Sequence, residues 1–117
     1  MDSIVIDQLE VQTIIGTLPH ERLQRQPLII TAELRSNLKL AGETDDFNCT
    51  FDYSRAEEMI YDFVSRSDFH LIEALAEQLA ARLLTIDRIE SVLLEIRKPG
   101  AAKYARSIGV RIERSRT

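Results

Sequence analysis

The stretch LIEALAEQLAARLL, residues 71–84, is the clearest helical segment of this chain and decides its class of fold. Its apolar residues recur every three or four positions, so they share one face of a helix. They are Leu71, Ile72, Leu75, Ala76, Leu79, Ala80 and Leu83. Because such a face has to be buried, the neighbouring segments must supply the surface on which this helix packs.

A second helix and four strands are predicted around this segment. Apolar residues at helical spacing also fill Tyr53–Arg66, and Asp52 is the expected N-cap of that helix. Alternating apolar residues predict four strands, which are Ser3–Ile15, Leu28–Leu38, Ser91–Arg97 and Ile108–Glu113. The order β-β-α-α-β-β predicts an α+β fold, in which a four-stranded antiparallel sheet carries both helices on one face.

The outer strands and the long connections are the features that suggest a site and an assembly. The first strand is expected to be bulged near Gln8-Leu9, and neither end strand has an internal proline. Open edges of this kind tend to pair with another chain, which predicts a homo-oligomer built by edge-to-edge strand pairing.

Two connections of about a dozen residues, Gly16–Pro27 and Ala41–Asp52, are long for a compact domain, and connections of this length are often functional.

Composition and charge exclude several classes of protein. The chain of 117 residues has 15 basic and 19 acidic residues, so its net charge of -4 argues against a nucleic-acid partner. No apolar run is long enough for a membrane span, and no signal-peptide pattern is found. Cys49 is the only cysteine, and His20 and His70 are too few and too far apart to predict a metal site. A single cytoplasmic domain, residues 1–117, is expected.

Four side chains are candidates for chemistry, although each also fits an ordinary structural role. Glu73 would offset the dipole at a helix start, an effect of about 0.3–1 kcal/mol. Tyr53 would be a half-buried packing residue, while Lys98 and Glu21 would be solvated side chains of a turn and a loop. GxSxG, Walker A and GxGxxG patterns are absent from the sequence. Spacing alone therefore predicts an oligomeric α+β domain with a candidate site, and no reaction.

Four motifs in order carry a resemblance to a known family. They are IIGTLPHE (residues 14–21), FDYS (51–54), FHLIEALAE (69–77) and RKPGA (97–101). Through them the chain resembles the dihydroneopterin aldolases along nearly its whole length. The resemblance implies the tunnelling fold, in which four subunits close their sheets into a sixteen-stranded barrel and two rings often stack into an octamer. It also implies sites that lie between neighbouring subunits.

The resemblance implies a lyase of folate biosynthesis with a small pterin substrate. Members of the family cleave 7,8-dihydroneopterin into 6-hydroxymethyl-7,8-dihydropterin and glycolaldehyde, and many also epimerise it at C2′. The C6=N5 imine of the pterin ring accepts the electrons of the breaking bond. No cofactor, metal or Schiff-base lysine is therefore implied.

Residues that bind the pterin are carried over from the family by position. The resemblance implies that the Glu73 carboxylate accepts two hydrogen bonds from the 2-amino group and the adjacent ring N–H. The backbone of Leu71 and Ile72 would bind the rest of the polar edge of the ring. Phe51 and Asp52 would border the pocket.

Three further residues are implied for the proton transfers. Lys98 matches the catalytic lysine, which works with water, and Tyr53 matches the tyrosine of the neighbouring subunit that helps to reprotonate the intermediate. Glu21 matches the loop carboxylate near the side chain of the substrate. The roles of His20 and His70 stay open.

Two other functions remain open from the sequence. One is the sister activity, dihydroneopterin triphosphate 2′-epimerase, for which Lys103, Arg106 and Arg111 could form a phosphate-binding cluster. The other is a non-catalytic pterin-binding barrel, which would not need a tyrosine, a glutamate and a lysine together.

Overall fold

The computed structural model describes residues 1–116, and within them it contains four strands, three α-helices and three short 3₁₀ turns. The strands are β1 (Asp2–Thr13), β2 (Gln26–Ser36), β3 (Ser91–Lys98) and β4 (Ile108–Ser115). The helices are α1 (Lys39–Thr44), α2 (Tyr53–Ser65) and α3 (Ile72–Leu83). The 3₁₀ turns are Pro19–Arg22, Phe47–Cys49 and Pro99–Ala101. No helix among residues 1–116 combines the length and the apolar character needed to cross a membrane.

The strands form one four-stranded antiparallel sheet, as the sequence predicts, and their order in the sheet is β1-β2-β3-β4. The predicted bulge in β1 is confirmed, because the register with β2 shifts between Ile6 and Leu9. Gln8 lies within the bulge at φ 56°, and its N–H donates to Thr31 Oγ1 at 3.0 Å instead of to the strand ladder. The bulge adds local twist to an outer strand of the sheet.

The two faces of the sheet differ in chemistry because side chains alternate along each strand. Toward the helices, the strands contribute fully buried apolar residues that share one core with α2 and α3. These residues include Leu28, Ile30, Leu34, Leu94 and Ile96. The opposite face is charged, with Arg35 bound to Glu113 at 3.0 Å and Arg111 bound to Glu95 at 2.6 Å. Both long helices therefore cover one face, as predicted.

The polar connection after β2 differs from the expected loop. Instead, it begins with α1 and continues into the 3₁₀ turn Phe47–Cys49. The short helix ends because Asp45 adopts a left-handed conformation at φ 57°, while its N–H donates to the carbonyl of Ala41 at 2.9 Å. The Thr44 hydroxyl also donates to the Leu40 carbonyl at 2.7 Å. A helix of six residues has too short an apolar repeat to be recognised from the sequence.

Four chain segments meet at one end of the sheet, which we call the Lys98 end. Thr13 at the end of β1 pairs with Gln26 at the start of β2, and β3 finishes beside them at Lys98. The Thr13 hydroxyl donates to the Ser67 carbonyl at 2.9 Å, which fixes the turn between α2 and α3 here. Gly16 N–H donates to the carbonyl of residue 69 at 3.3 Å. The first turn of α3 therefore lies at the Lys98 end.

Candidate active site

Glu21 and Lys98 form an ion pair at the Lys98 end, although they are 77 residues apart in sequence. Glu21 lies in the turn Pro19–Arg22, and Lys98 is the last residue of β3 because Pro99 ends the strand. Each side chain is only 11% exposed. The ordinary expectation for both residues, that they are solvated, is therefore wrong.

The shape of the loop that carries Glu21 depends on Gly16. Its φ of +122° is rarely adopted by residues with a side chain, and a Cβ atom there would lie 2.3 Å from Glu21 Oε1. The carboxylate folds back into this space. It accepts hydrogen bonds from Leu18 N–H at 3.2 Å and from Gln26 Nε2 at 3.4 Å, in addition to the bond from Lys98.

This hydrogen bonding keeps Glu21 ionised. The bond from Lys98 is the largest of the effects that lower the pKa of Glu21 from 4.5 to about 2, and it outweighs the desolvation that would raise the pKa. Glu21 therefore carries a negative charge at neutral pH and accepts hydrogen bonds there. Such a carboxylate can hold the neighbouring ammonium in a fixed orientation.

The first turn of α3 supplies the remaining predicted binding groups at this end. Leu71 is the N-cap residue in an extended conformation, and Ile72 and Glu73 open the helix. The first N–H groups of a helix have no partner within the helix and point toward whatever lies at its start. Glu73 is exposed, so its carboxylate can be reached from solvent. The structure thus brings Glu21, Lys98 and the start of α3 to the same end of the sheet.

The other three predicted residues lie far from Lys98 in the same chain. Helix α2 ends at the Lys98 end, and its 13 residues carry its N-terminus roughly 20 Å away. Tyr53 at that N-terminus is 61% exposed and borders a cavity of about 370 Å³ together with Leu9 and Glu57. Asp52 caps α2 by accepting a hydrogen bond from Ser54 N–H at 2.9 Å, as expected. Phe51 is 5% exposed and belongs to the core.

A single chain therefore contains two separated groups of predicted site residues. Glu21, Lys98 and Glu73 form the first group, and Tyr53 with its neighbours forms the second. The strand edges of β1 and β4 are the outer edges of the sheet. The resemblance implies that a neighbouring subunit brings the two groups together, and this stays a prediction.

Two residues at the Lys98 end were missed by reasoning from the sequence. Gln26 donates to the Ile15 carbonyl at 2.7 Å and to Glu21, so it links the end of β1 to the carboxylate. Arg22 donates to three backbone carbonyls, one in this loop and two in the turn before α3. Arg22 directly follows Glu21 and Gln26 lies five residues after it, but their partners elsewhere in the chain leave no periodic pattern in the sequence.

The two histidines are exposed and lie at the Lys98 end, one in the turn that holds Glu21 and the other directly before Leu71. Within residues 1–116, no three His, Cys, Asp or Glu side chains lie close enough to share a metal ion. The predicted site residues at this end thus supply an ammonium, two carboxylates and the first N–H groups of a helix. Such a set can bind the polar edge of a flat heterocycle and transfer protons nearby.

Comparison with known proteins identifies the family of this chain. The family model described as dihydroneopterin aldolase matches residues 4–113. The chain is 32% identical over 114 residues to the dihydroneopterin aldolase of Haemophilus influenzae, and the match covers 97% of both proteins. It is also 36% identical over 115 residues to the folic acid synthesis protein of Dictyostelium discoideum, where it covers 98% of this chain but spans only 18% of that longer protein.

A solved structure shows the same similarity in three dimensions. The crystal structure of Escherichia coli dihydroneopterin aldolase in complex with neopterin superimposes with a TM-score of 0.92 at 33% sequence identity. That match covers 98% of this chain and 100% of the other. The resemblance seen in the four sequence motifs is confirmed, and the chain belongs to the dihydroneopterin aldolase family.

Proposed function

We propose that this chain is a dihydroneopterin aldolase, a lyase that cleaves 7,8-dihydroneopterin into 6-hydroxymethyl-7,8-dihydropterin and glycolaldehyde. The observation that carries the proposal is the ion pair between Glu21 and Lys98 at the end of the sheet where α3 begins with Glu73. The relative from E. coli was crystallised with neopterin, which supports a pterin as the substrate class.

The pterin ring would be held by the first turn of α3. Glu73 would accept hydrogen bonds from the 2-amino group and the adjacent ring N–H, a bidentate arrangement that suits a carboxylate. Backbone groups of Leu71 and Ile72 would bind the rest of the polar edge. The imine carbon C6 and its side chain would then extend toward the side chain of Lys98.

The cleavage needs only proton transfers and no outside reagent. Removal of the 2′-hydroxyl proton lets C2′ become a carbonyl, and the electrons of the C1′–C2′ bond move into a new C1′=C6 bond. The C6=N5 imine accepts them as N5 is protonated, and glycolaldehyde leaves. Return of a proton to C1′, with loss of the N5 proton, restores the imine in the product. If glycolaldehyde instead adds back through its other face, C2′ is epimerised.

Residues of two chains would share these transfers. Lys98, paired with ionised Glu21, would exchange protons with N5 and the 2′-hydroxyl through water, and each correctly placed acid or base contributes about 10²–10⁴-fold. Tyr53 of a neighbouring subunit would return the proton to C1′. Phe51 and Asp52 would shape the edge of the pocket beside Tyr53, where they pack and cap the start of α2.

We also propose that the chain works as a ring of four subunits, either alone as a tetramer or with two rings stacked into a homo-octamer. The open edges of β1 and β4 support ring closure, because pairing them between copies would remove both edges. The separation of Tyr53 from Lys98 in one chain supports a site built from two subunits. The charged face of the sheet would then line the inside of the barrel.

The whole chain, residues 1–117, is assigned to one such domain. A cytoplasmic location is part of the proposal, because the single free cysteine, Cys49, would stay reduced there. The nucleic-acid and membrane partners that the composition argues against play no part in the proposed reaction.

The alternative activity on dihydroneopterin triphosphate has less support. Its phosphate-binding cluster would need Arg111, but this guanidinium donates two hydrogen bonds to Glu95 Oε2, at 3.0 and 2.6 Å, on the helix-free face of the sheet. Lys103 lies over the ring of Tyr104 at 5.3 Å. A non-catalytic pterin-binding barrel would not need the ion pair between Glu21 and Lys98.

An assay with both substrates tests the proposal. The purified protein should release glycolaldehyde from 7,8-dihydroneopterin, as measured by chromatography of both products. Turnover of the triphosphate alone would reject the aldolase in favour of the epimerase.

Lys98→Ala should bind neopterin within about tenfold of the wild-type affinity and lose most turnover, since the lysine acts in proton transfer. Normal turnover by this variant would reject the proposed role of Lys98.

A further inference from the structure

Arg22 joins two segments at the Lys98 end through its guanidinium group. Nη1 donates to the carbonyls of Gly16 and Phe69, both at 3.1 Å, and Nη2 donates to the carbonyl of Asp68 at 2.6 Å. Gly16 N–H also donates to Phe69 at 3.3 Å, so the two segments touch directly. One side chain therefore bridges the loop after β1 and the turn before α3.

These two segments carry different parts of the proposed site. The loop after β1 contains Glu21, which is adjacent to Arg22 and holds Lys98 by the ion pair. The turn leads directly into Leu71 and Glu73, which are proposed to bind the pterin ring. The distance between the bound ring and the proton-transferring groups thus depends on how firmly these segments are joined.

We propose that Arg22 is a positioning residue that sets the register between the ring-binding start of α3 and the Glu21–Lys98 pair, an inference that rests on the proposed aldolase function. Arginine suits this task because its planar guanidinium presents several donors in a rigid fork, and here they reach three carbonyls on two segments. A misplacement of about 1 Å between substrate and catalytic group can cost about 10²-fold in rate.

Arg25 offers a matched control in the same loop. Its guanidinium also joins two segments through backbone carbonyls, at 3.0 Å to Gln12 and 2.9 Å to Ser65. Neither of these carbonyls belongs to the loop that holds Glu21 or to the turn that leads into α3. Loss of Arg25 should therefore cost stability in the same way as loss of Arg22, without disturbing the spacing of the site.

The test compares Arg22→Gln, Arg22→Lys and Arg25→Gln in the full-length protein. For each variant, kcat and KM for 7,8-dihydroneopterin, the dissociation constant for neopterin and the Tm are measured. We expect kcat of Arg22→Gln to fall by about tenfold or more, with neopterin binding changed by less than about threefold. Arg22→Lys, which keeps the charge but not the fork, should be intermediate, and Arg25→Gln should keep wild-type kcat.

The outcomes separate this inference from the proposed function. Wild-type kcat in Arg22→Gln, or an equal loss of kcat in Arg25→Gln, would overturn the positioning role. If Arg22→Gln does not fold, Arg22→Lys is compared with Arg25→Lys by the same criteria. If the wild type releases no glycolaldehyde, the proposed function fails and this inference fails with it. If the wild type is active and the Arg22 variants match it, only the inference fails.

Discussion

Replacing Glu21 by glutamine removes the negative charge of the ion pair and keeps the size of the side chain. The pKa of Glu21 falls from 4.5 to about 2 in the folded protein, chiefly through the hydrogen bond from Lys98. At 1.36 kcal/mol per unit, this difference corresponds to about 3 kcal/mol of folding free energy at neutral pH. We therefore expect Glu21→Gln to lower the free energy of unfolding at pH 7 by about that amount.

The pH dependence of the effect has a definite sign. Because the pKa of the folded state lies below that of the unfolded state, the stabilisation is complete above about pH 4.5 and is lost as the pH falls toward about 2. The wild type should therefore lose more stability than Glu21→Gln between pH 5 and pH 3. The gap between the two curves should narrow toward pH 3 and close only near pH 2, where the carboxyl is protonated in both states.

Urea unfolding at a fixed protein concentration, from pH 3 to pH 7, measures both quantities. Glu77→Gln is the matched control, because Glu77 also pairs with an arginine, Arg114, but the two side chains are 54% and 43% exposed. Exposed pairs contribute about 0–1 kcal/mol. A loss in Glu21→Gln as small as that in Glu77→Gln, with no narrowing of the gap to the wild type toward pH 3, would refute the reasoning.

Three further predictions concern single residues of the site. Glu73→Ala should weaken neopterin binding by about 2–5 kcal/mol, measured by fluorescence titration, because the ring donors lose their charged partner; an unchanged affinity would rule out Glu73 as the ring-binding residue. Gly16→Ala should destabilise the protein by about 1–3 kcal/mol and displace Glu21, because its Cβ would lie 2.3 Å from the carboxylate. The control in the same urea unfolding experiment is Gly42→Ala, since nothing lies within 4 Å of a Cβ at that position. Equal stability of the two variants would contradict the argument. Tyr53→Phe should leave the Tm of the protein unchanged, because the substitution removes one hydroxyl and keeps the ring, while kcat falls; an unchanged kcat would exclude the hydroxyl from the reaction.

Much of the fold could be predicted because it follows from local patterns. Alternating apolar residues and a period of three to four residues indicated each long strand and helix, and Asp52 caps α2 as expected. The boundaries moved by at most two residues; for example, β2 begins at Gln26 instead of Leu28 and ends at Ser36 instead of Leu38. The short helix α1 was not predicted, because six residues give no measurable apolar period.

The geometry of the site could be predicted only in part. The resemblance named Glu21 and Lys98 separately, but their ion pair joins residues 77 positions apart and depends on how β3 ends beside the loop after β1. The roles of Gly16 and Arg22 in shaping that loop depend on a positive φ and on carbonyls of a distant turn. Such features arise from tertiary packing, and no local propensity records them.

Mixing two inactive variants tests the central claim that one site is built from two chains. Lys98→Ala and Tyr53→Ala would be unfolded and refolded together in equal amounts, and release of glycolaldehyde would be measured against each variant alone. In a symmetric ring with random mixing, about one quarter of the sites combine an intact Lys98 with an intact neighbouring Tyr53. The account predicts about a quarter of the wild-type activity, whereas a mixture as inactive as its components would contradict it.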